Sequence, residues 1–499
     1  MMKLFVLIIS LTNLVFPLPQ IIDVELLDPT QGITMKGIPD QASLGFTATN
    51  AGDINGDGVA DIILGGPIHY EYAGIVFIIY GGSGLADFAL DENIDPSQGF
   101  FIMGSAPNAC LGTSLTALGD VNGDGIDDFF VMSFGVDDDV GAMYVFYGAR
   151  SGLKNIYLSE GLDPSRGYAI INPGEPSIFG MMASSAGDIN GDGIQDFMVA
   201  QPAYQDDQGL VHVIYGKSSN SENMTLTPEP DPSEGFVIWG PSGQGYFGSA
   251  LSPAGDINGD GIDDIIISCM AVEYGLAYVI YGSKESSRII LDYGLNRTQG
   301  FAITGSASYG YLGWSVHKAG DIDNDGLGDI LIGGPRENGV NGAVLVVYGN
   351  ENGFSNISLL TGSSNSNDIS LIYTAEPQFL GGAVYGGSDF NGDGVADIVL
   401  HRNGEDMETT NTAFAYVIYG SNSRMPNLTL SVTNFSSSQG FILTADPVGS
   451  YIESRTAFGD FNADYLPDIL MGAPYSNNMT GGAYIVFGSS NKFYEREVI

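Results

Sequence analysis

Seven copies of one acidic string, spaced about 68 residues apart, constrain this chain more than any other feature. The first copy reads GDINGDGVAD at Gly52–Asp61. It returns as GDVNGDGIDD, GDINGDGIQD, GDINGDGIDD, GDIDNDGLGD, SDFNGDGVAD and GDFNADYLPD. The leading aspartates are Asp53, Asp120, Asp188, Asp256, Asp321, Asp389 and Asp460, so the spacings are 67, 68, 68, 65, 68 and 71. Self-similarity at such a period marks an architecture in which each unit is one supersecondary element.

Other features keep the same phase. A turn signal precedes an apolar run in DPTQGITMKG, DPSQGFFIMG, DPSRGYAIIN, DPSEGFVIWG, NRTQGFAITG and SSSQGFILTA. A Leu-Gly or Phe-Gly pair leads into the acidic string, as in LGFTATNAG and FGSALSPAG. Apolar runs follow it (DIILGGP, DFMVAQP, DILMGAP), and a last run ends in Tyr-Gly or Phe-Gly, as in IVFIIYGG and AYIVFGSS. Short stretches of Val, Ile, Tyr and Phe bounded by Gly, Pro, Asn and Asp read as strands, four per unit. No stretch keeps a helical period. The expected fold is all-β, a seven-bladed β-propeller of four-stranded antiparallel blades. A linear stack of repeats would need polar caps at both ends, and none is evident. Instead DPTQGITMKG is a spare strand ahead of the first unit, and the last unit stops at its third strand. The spare N-terminal strand can close the ring.

Numbered from its first aspartate, each string places oxygen-bearing side chains at positions 1, 3, 5 and 9. Calcium takes 6–8 oxygens from carboxylates, amides, backbone carbonyls and water. The expected ligands of the first loop are Asp53, Asn55, Asp57 and Asp61, with the backbone carbonyl of Val59 at position 7. The second to fourth sets are Asp120, Asn122, Asp124, Ile126, Asp128; Asp188, Asn190, Asp192, Ile194, Asp196; and Asp256, Asn258, Asp260, Ile262, Asp264. The fifth to seventh are Asp321, Asp323, Asp325, Leu327, Asp329; Asp389, Asn391, Asp393, Val395, Asp397; and Asp460, Asn462, Asp464, Leu466, Asp468. The position-6 glycine permits the positive φ of a sharp turn. Without a cation, carboxylates this close repel one another. Oxygen donors with no His or Cys disfavour zinc and copper. An EF-hand would need Glu at position 12, which is instead Leu64, Val131, Val199, Ile267, Ile332, Leu400 or Met471. A metal-free Asx turn would explain one copy, not seven in phase. Tyr465 replaces the glycine in the last copy and would strain it. The expected count is therefore about six calcium ions, with the seventh loop set apart.

These motifs resemble the FG-GAP repeats of integrin α-subunit heads and related secreted proteins. The resemblance rests on the Phe/Leu-Gly pairs, the acidic loops, and the trailing GGP or GAP at Gly65–Pro67, Gly333–Pro335 and Gly472–Pro474, and covers about residues 21–499. It implies a propeller whose calcium loops join the innermost strand to the second on its lower face, closed by an N-terminal strand. It also implies a recognition face opposite those loops. Candidate segments there are 67–74, 134–141, 202–209, 240–248, 305–313 and 474–482, rich in tyrosine and acids. The alternative for Tyr204 and Tyr475 is packing between blades. The leg domains, membrane helix and cytoplasmic tail of an integrin are not expected here.

Charge narrows the function. The net charge is −43 with 16 Lys plus Arg, which disfavours nucleic acid as a partner. A hydrophobic content of 44% still provides a core. Lys3 followed by the apolar run Leu4–Phe16 reads as a secretory signal in residues 1–20, ahead of one propeller in 21–499. No segment is long enough to span a bilayer. Sequons at Asn223, Asn296, Asn356, Asn427, Asn434 and Asn478 fit export. Cys110 and Cys269 fall in different repeats and are expected as free thiols. His69, His212, His317 and His401 also fall in different repeats and show no ligand spacing. The expectation is a secreted or cell-surface calcium-binding adhesion module, not an enzyme, which binds an extracellular protein or glycan. A glycan-acting propeller enzyme and a purely structural shell protein are the alternatives.

Overall fold

The computed structural model describes residues 20–37, 43–135, 141–171, 182–219, 222–243, 245–270, 273–285, 287–339, 341–360, 368–375, 379–402, 415–444, 456–476 and 480–489. The leader read at 1–20 lies outside these apart from Gln20. So do Asn478 and parts of the segments 134–141, 240–248 and 474–482.

Seven sheets form the seven blades of a β-propeller. In the first, strands Thr47–Gly52, Asp61–Gly66, Ile75–Ile79 and Gly99–Met103 run antiparallel from the inside outward. The second strand of a blade is buried along its whole length in Asp61–Gly66, Asp128–Ser133 and Asp196–Gln201. An unbroken apolar run bounded by turns is the sequence form of such a strand. Main apolar clusters fill the seams: Ile63, Val76 and Phe100 of the first blade pack with Phe129, Val131 and Phe146 of the second.

The ring closes at the N-terminus as expected. Strand Gly32–Gly37 completes the seventh blade by pairing antiparallel with Gly482–Val486, with Met35 opposite Ala483. One feature goes beyond four strands per blade. Each sheet gains a short fifth strand, parallel to the fourth and contributed by the following repeat, as when Ile156–Tyr157 pairs with Gly99–Met103. The sixth blade takes its fifth strand, Gln20–Asp23, from the N-terminal segment, so that segment ties two blades. Two to four residues of parallel pairing covers an edge that would otherwise template aggregation. Asn side chains cap the same edge: Asn223, Asn356 and Asn427 accept from the backbone N–H groups of Ala169, Ala302 and Leu371. A run of two residues is too short for any sequence pattern to flag.

Candidate metal centres

Every first-to-second-strand connection is one of the acidic loops, so all seven lie on one face. Position 2 is an apolar anchor sunk into the core in each: Ile54, Val121, Ile189, Ile257, Ile322, Phe390 and Phe461. Above it the carboxylates organise the turn identically. The position-1 aspartate accepts the N–H groups of positions 5 and 6 at 2.7–3.0 Å in all seven loops. The position-5 aspartate accepts the N–H of position 7 at 2.9–3.1 Å. Each of these carboxylates thus has its backbone donors fixed and keeps further lone pairs for a cation.

Position 9 has a task that spacing does not reveal. Its carboxylate is fully buried in every loop. One oxygen accepts from the N–H of position 2, and the other from the glycine after the third strand of the same blade, at 2.8–3.1 Å. It pins the loop to the sheet. Burial pushes Asp128, Asp196, Asp264 and Asp329 up to about 8, and Asp61, Asp397 and Asp468 up to about 7. Nearby aspartates of the same loop add to this in each case. A neighbouring cation is the natural counterweight to seven such carboxylates.

The loops also grip their neighbours. The carbonyl of position 2 accepts a backbone N–H from the next blade at every seam, from Ala149 on Ile54 at 2.9 Å round to Gly82 on Phe461 at 2.9 Å. Asp127 and Asp263, at position 8, accept the N–H of Asp53 and Asp188 in the preceding loop at 2.8 and 3.0 Å. The Asp-Asp doublets 127–128 and 263–264 were the visible signal for these two clamps. On the opposite face four Leu-Gly pairs do the equivalent job. Leu44, Leu111, Leu312 and Leu380 bridge to Gly481, Gly74, Gly275 and Gly342 of the preceding blade.

Two position-3 oxygens, Asn391 Oδ1 and Asp323 Oδ1, are buried and unpartnered, as ligands awaiting a hard cation would be. The carboxylates of Asp321, Asp323 and Asp325 come within 4.8 Å of one another. Position 9 is not part of that group. The seventh loop keeps the same hydrogen bonds, with Tyr465 at φ 71 and almost wholly exposed. A left-handed non-glycine residue costs about 1–2 kcal/mol, and glycine's extra unfolded-state entropy returns about half of that on substitution. Tyr465→Gly is therefore expected to stabilise the protein by roughly 0.5–1 kcal/mol, read as a raised urea midpoint at constant slope. Positive φ at position 4, as at Gly56, Asn324 and Ala463, is a second requirement that sequence reading assigned to position 6 alone.

On the face opposite the loops, Tyr70, Tyr72 and Tyr309 are more than half exposed. Tyr70, Glu71 and Tyr72 are three successive left-handed residues, as are Gln205, Asp206 and Asp207 in the third blade. Backbone strain of this kind concentrates at functional sites. Tyr204 instead packs edge-on to Trp239 at 5.5 Å. The histidines do not converge on one site. His69 contacts Glu92 at 3.2 Å, His212 is buried in Leu210–Ile214, and His317 and His401 flank Tyr385. Cys269 is a buried free thiol. No helix among the described residues is long and apolar enough to cross a membrane.

Comparison with known proteins agrees with this geometry. The FG-GAP repeat family matches residues 182–214 and 312–347. Integrin alpha pat-2 of Caenorhabditis briggsae is 31% identical over 235 residues, 44% of this chain and 17% of the relative. Integrin alpha-5 of Xenopus laevis is 27% identical over 46% of this chain and 20% of its own length. Phosphatidylinositol-glycan-specific phospholipase D of Homo sapiens is 25% identical over 385 residues, 72% of this chain and 43% of the relative. The chain thus spans between a sixth and a half of the curated relatives it matches. Among solved structures, the exotype rhamnogalacturonan lyase YesX aligns over 95% of this chain and 76% of its own, at 12% identity and a TM-score of 0.40. One expectation is overturned. The expectation of no enzyme rests on acids that serve the repeat, yet a relative that matches 72% of this chain bears an enzyme's name. Repeats of this kind do not exclude catalysis.

Proposed function

We propose that this chain, which carries FG-GAP repeats on a seven-bladed propeller, is an extracellular recognition module whose ring is held shut by calcium. The carrying observation is the double duty of each acidic loop. The turn that gathers the carboxylates also hydrogen-bonds the next blade at every seam. Positions 1, 3, 5 and 9 and the position-7 carbonyl would hold the ion. The ion supplies positive charge to carboxylates that otherwise repel. The chain's own residues do the rest: position 2 anchors, position 9 pins, and position 8 clamps where it is aspartate.

The aromatic and acidic loops opposite are the proposed partner surface, for an extracellular protein or a glycan. Tyrosine presents a large, rigid contact with a polar tip, and the strained segments 70–72 and 205–207 hold such contacts in place. Metal analysis after exhaustive chelation and reloading tests the cation reading. Six to seven calcium ions per chain are expected. Asp256→Ala should release about one of them, and an undiminished count in that variant removes the assignment.

A further inference from the structure

The fifth loop departs from the other six at one of its side-chain ligand positions. Position 3 is Asn in those six and Asp323 here, which adds a fourth aspartate to the set Asp321, Asp325 and Asp329. A second departure lies across the seam. Arg424, beyond strand Ala415–Ile418 of the sixth blade, reaches back onto this loop. Its Nε donates to Asp323 Oδ2 at 3.0 Å and one terminal nitrogen to Asp325 Oδ2 at 3.3 Å. The guanidinium is fixed from behind by Asp368 at 3.1 Å, by the Gly349 carbonyl at 3.1 Å, and by the Tyr348 ring at 5.1 Å. Asp323 is 3% exposed, and its other oxygen, Oδ1, has no partner. Two oxygens are thus held by a tethered cation, while the inward-facing one is left for an ion.

We propose that Arg424 is a built-in counter-ion that sets the calcium affinity of the fifth loop, offsetting the charge that Asp323 adds. The inference rests on the reading of the loops as calcium sites. A fixed positive charge a few ångströms from a divalent ion opposes its binding, and the same charge stabilises the loop when the ion is absent. One residue therefore weakens the site and protects its empty form, so this seam stays closed over a wider range of calcium concentration than the other six.

Calorimetric calcium titration of the chelated full chain tests this. Arg424→Gln removes charge but no calcium ligand. It should leave the number of sites unchanged, tighten one of them about tenfold, and lower the melting temperature of the calcium-free protein. Arg424→Lys keeps the charge and should bind like the parent chain. Asp323→Asn, with Arg424 intact, should weaken one site by a similar factor, and this keeps the test open if Arg424→Gln does not fold. Unchanged or weaker binding in Arg424→Gln overturns the proposal, as does Arg424→Lys behaving like Arg424→Gln. A parent chain that takes up no calcium sinks the underlying reading instead.

Discussion

Removal of divalent cations is expected to lower the melting temperature by roughly 15 °C. A ligand that binds only the folded state stabilises it by about 2.7 kcal/mol when present at a hundred times its Kd. Six such sites give a gross term on the order of 15 kcal/mol. Unfolding entropy of about 2 cal/mol/K per residue turns that into the stated shift for a chain of 499 residues. The effect reaches the whole ring because each loop bonds the next blade through its position-2 carbonyl. A loop that loosens without its ion weakens two blades at once. The measurement is thermal unfolding by circular dichroism in millimolar calcium and then in excess EGTA. Magnesium should restore less than calcium, because it demands octahedral geometry and gives up its water reluctantly. Identical curves with and without chelator would falsify the cation reading.

Much of this was legible in the residues. Period and strand count gave the blades, because each repeat is one sheet and a closed ring leaves no long edge. The spare strand DPTQGITMKG gave the closure, and Gly32–Gly37 lies where that argument put it. The acidic loops were readable as tight turns because Asx side chains at alternate positions accept the turn's own backbone N–H groups. What stayed hidden was whatever depends on the neighbouring blade. Position 9 reads as one more ligand, and its second task as a pin shows only in its two backbone donors. Arg424 and Asp323 are 101 residues apart, and no local pattern joins them. The Leu-Gly and Phe-Gly pairs were visible as a signature. The role of the Leu-Gly pairs as latches required Leu111 to be seen against Gly74. The exclusion of enzymatic activity failed for a related reason. It treated repeated carboxylates as fully explained by the fold, and a fold does not fix function.

The second large effect concerns the closing strand. A chain without Gly32–Gly37 is expected to yield no soluble folded protein, because three structures lose their partner together. Gly482–Val486, all of it buried, is left as an open apolar edge. Phe88–Leu90 loses the strand it pairs with. The cluster formed by Ile33, Met35, Leu44, Leu470 and Ile485 loses two of its members. A pair of point variants separates closure from mere truncation. Met35 is fully buried, whereas its neighbour Lys36 is exposed, since successive strand residues face opposite sides. Met35→Asp places an unpaired carboxylate in the seventh blade at a cost of about 3–5 kcal/mol. Lys36→Asp should change stability by less than about 0.5 kcal/mol. Urea unfolding of the two variants side by side is the check. Equal losses would mean that strand register and facing do not matter, and the ring would then be shut by something other than this strand. The expected outcome also links closure to the loops. The Asp460 and Phe461 carbonyls of the seventh loop accept from Ala60 and Gly82 of the first blade across the same seam. Met35→Asp should therefore lose more stability in EGTA than the parent chain does, because strand and ion hold one seam from its two sides.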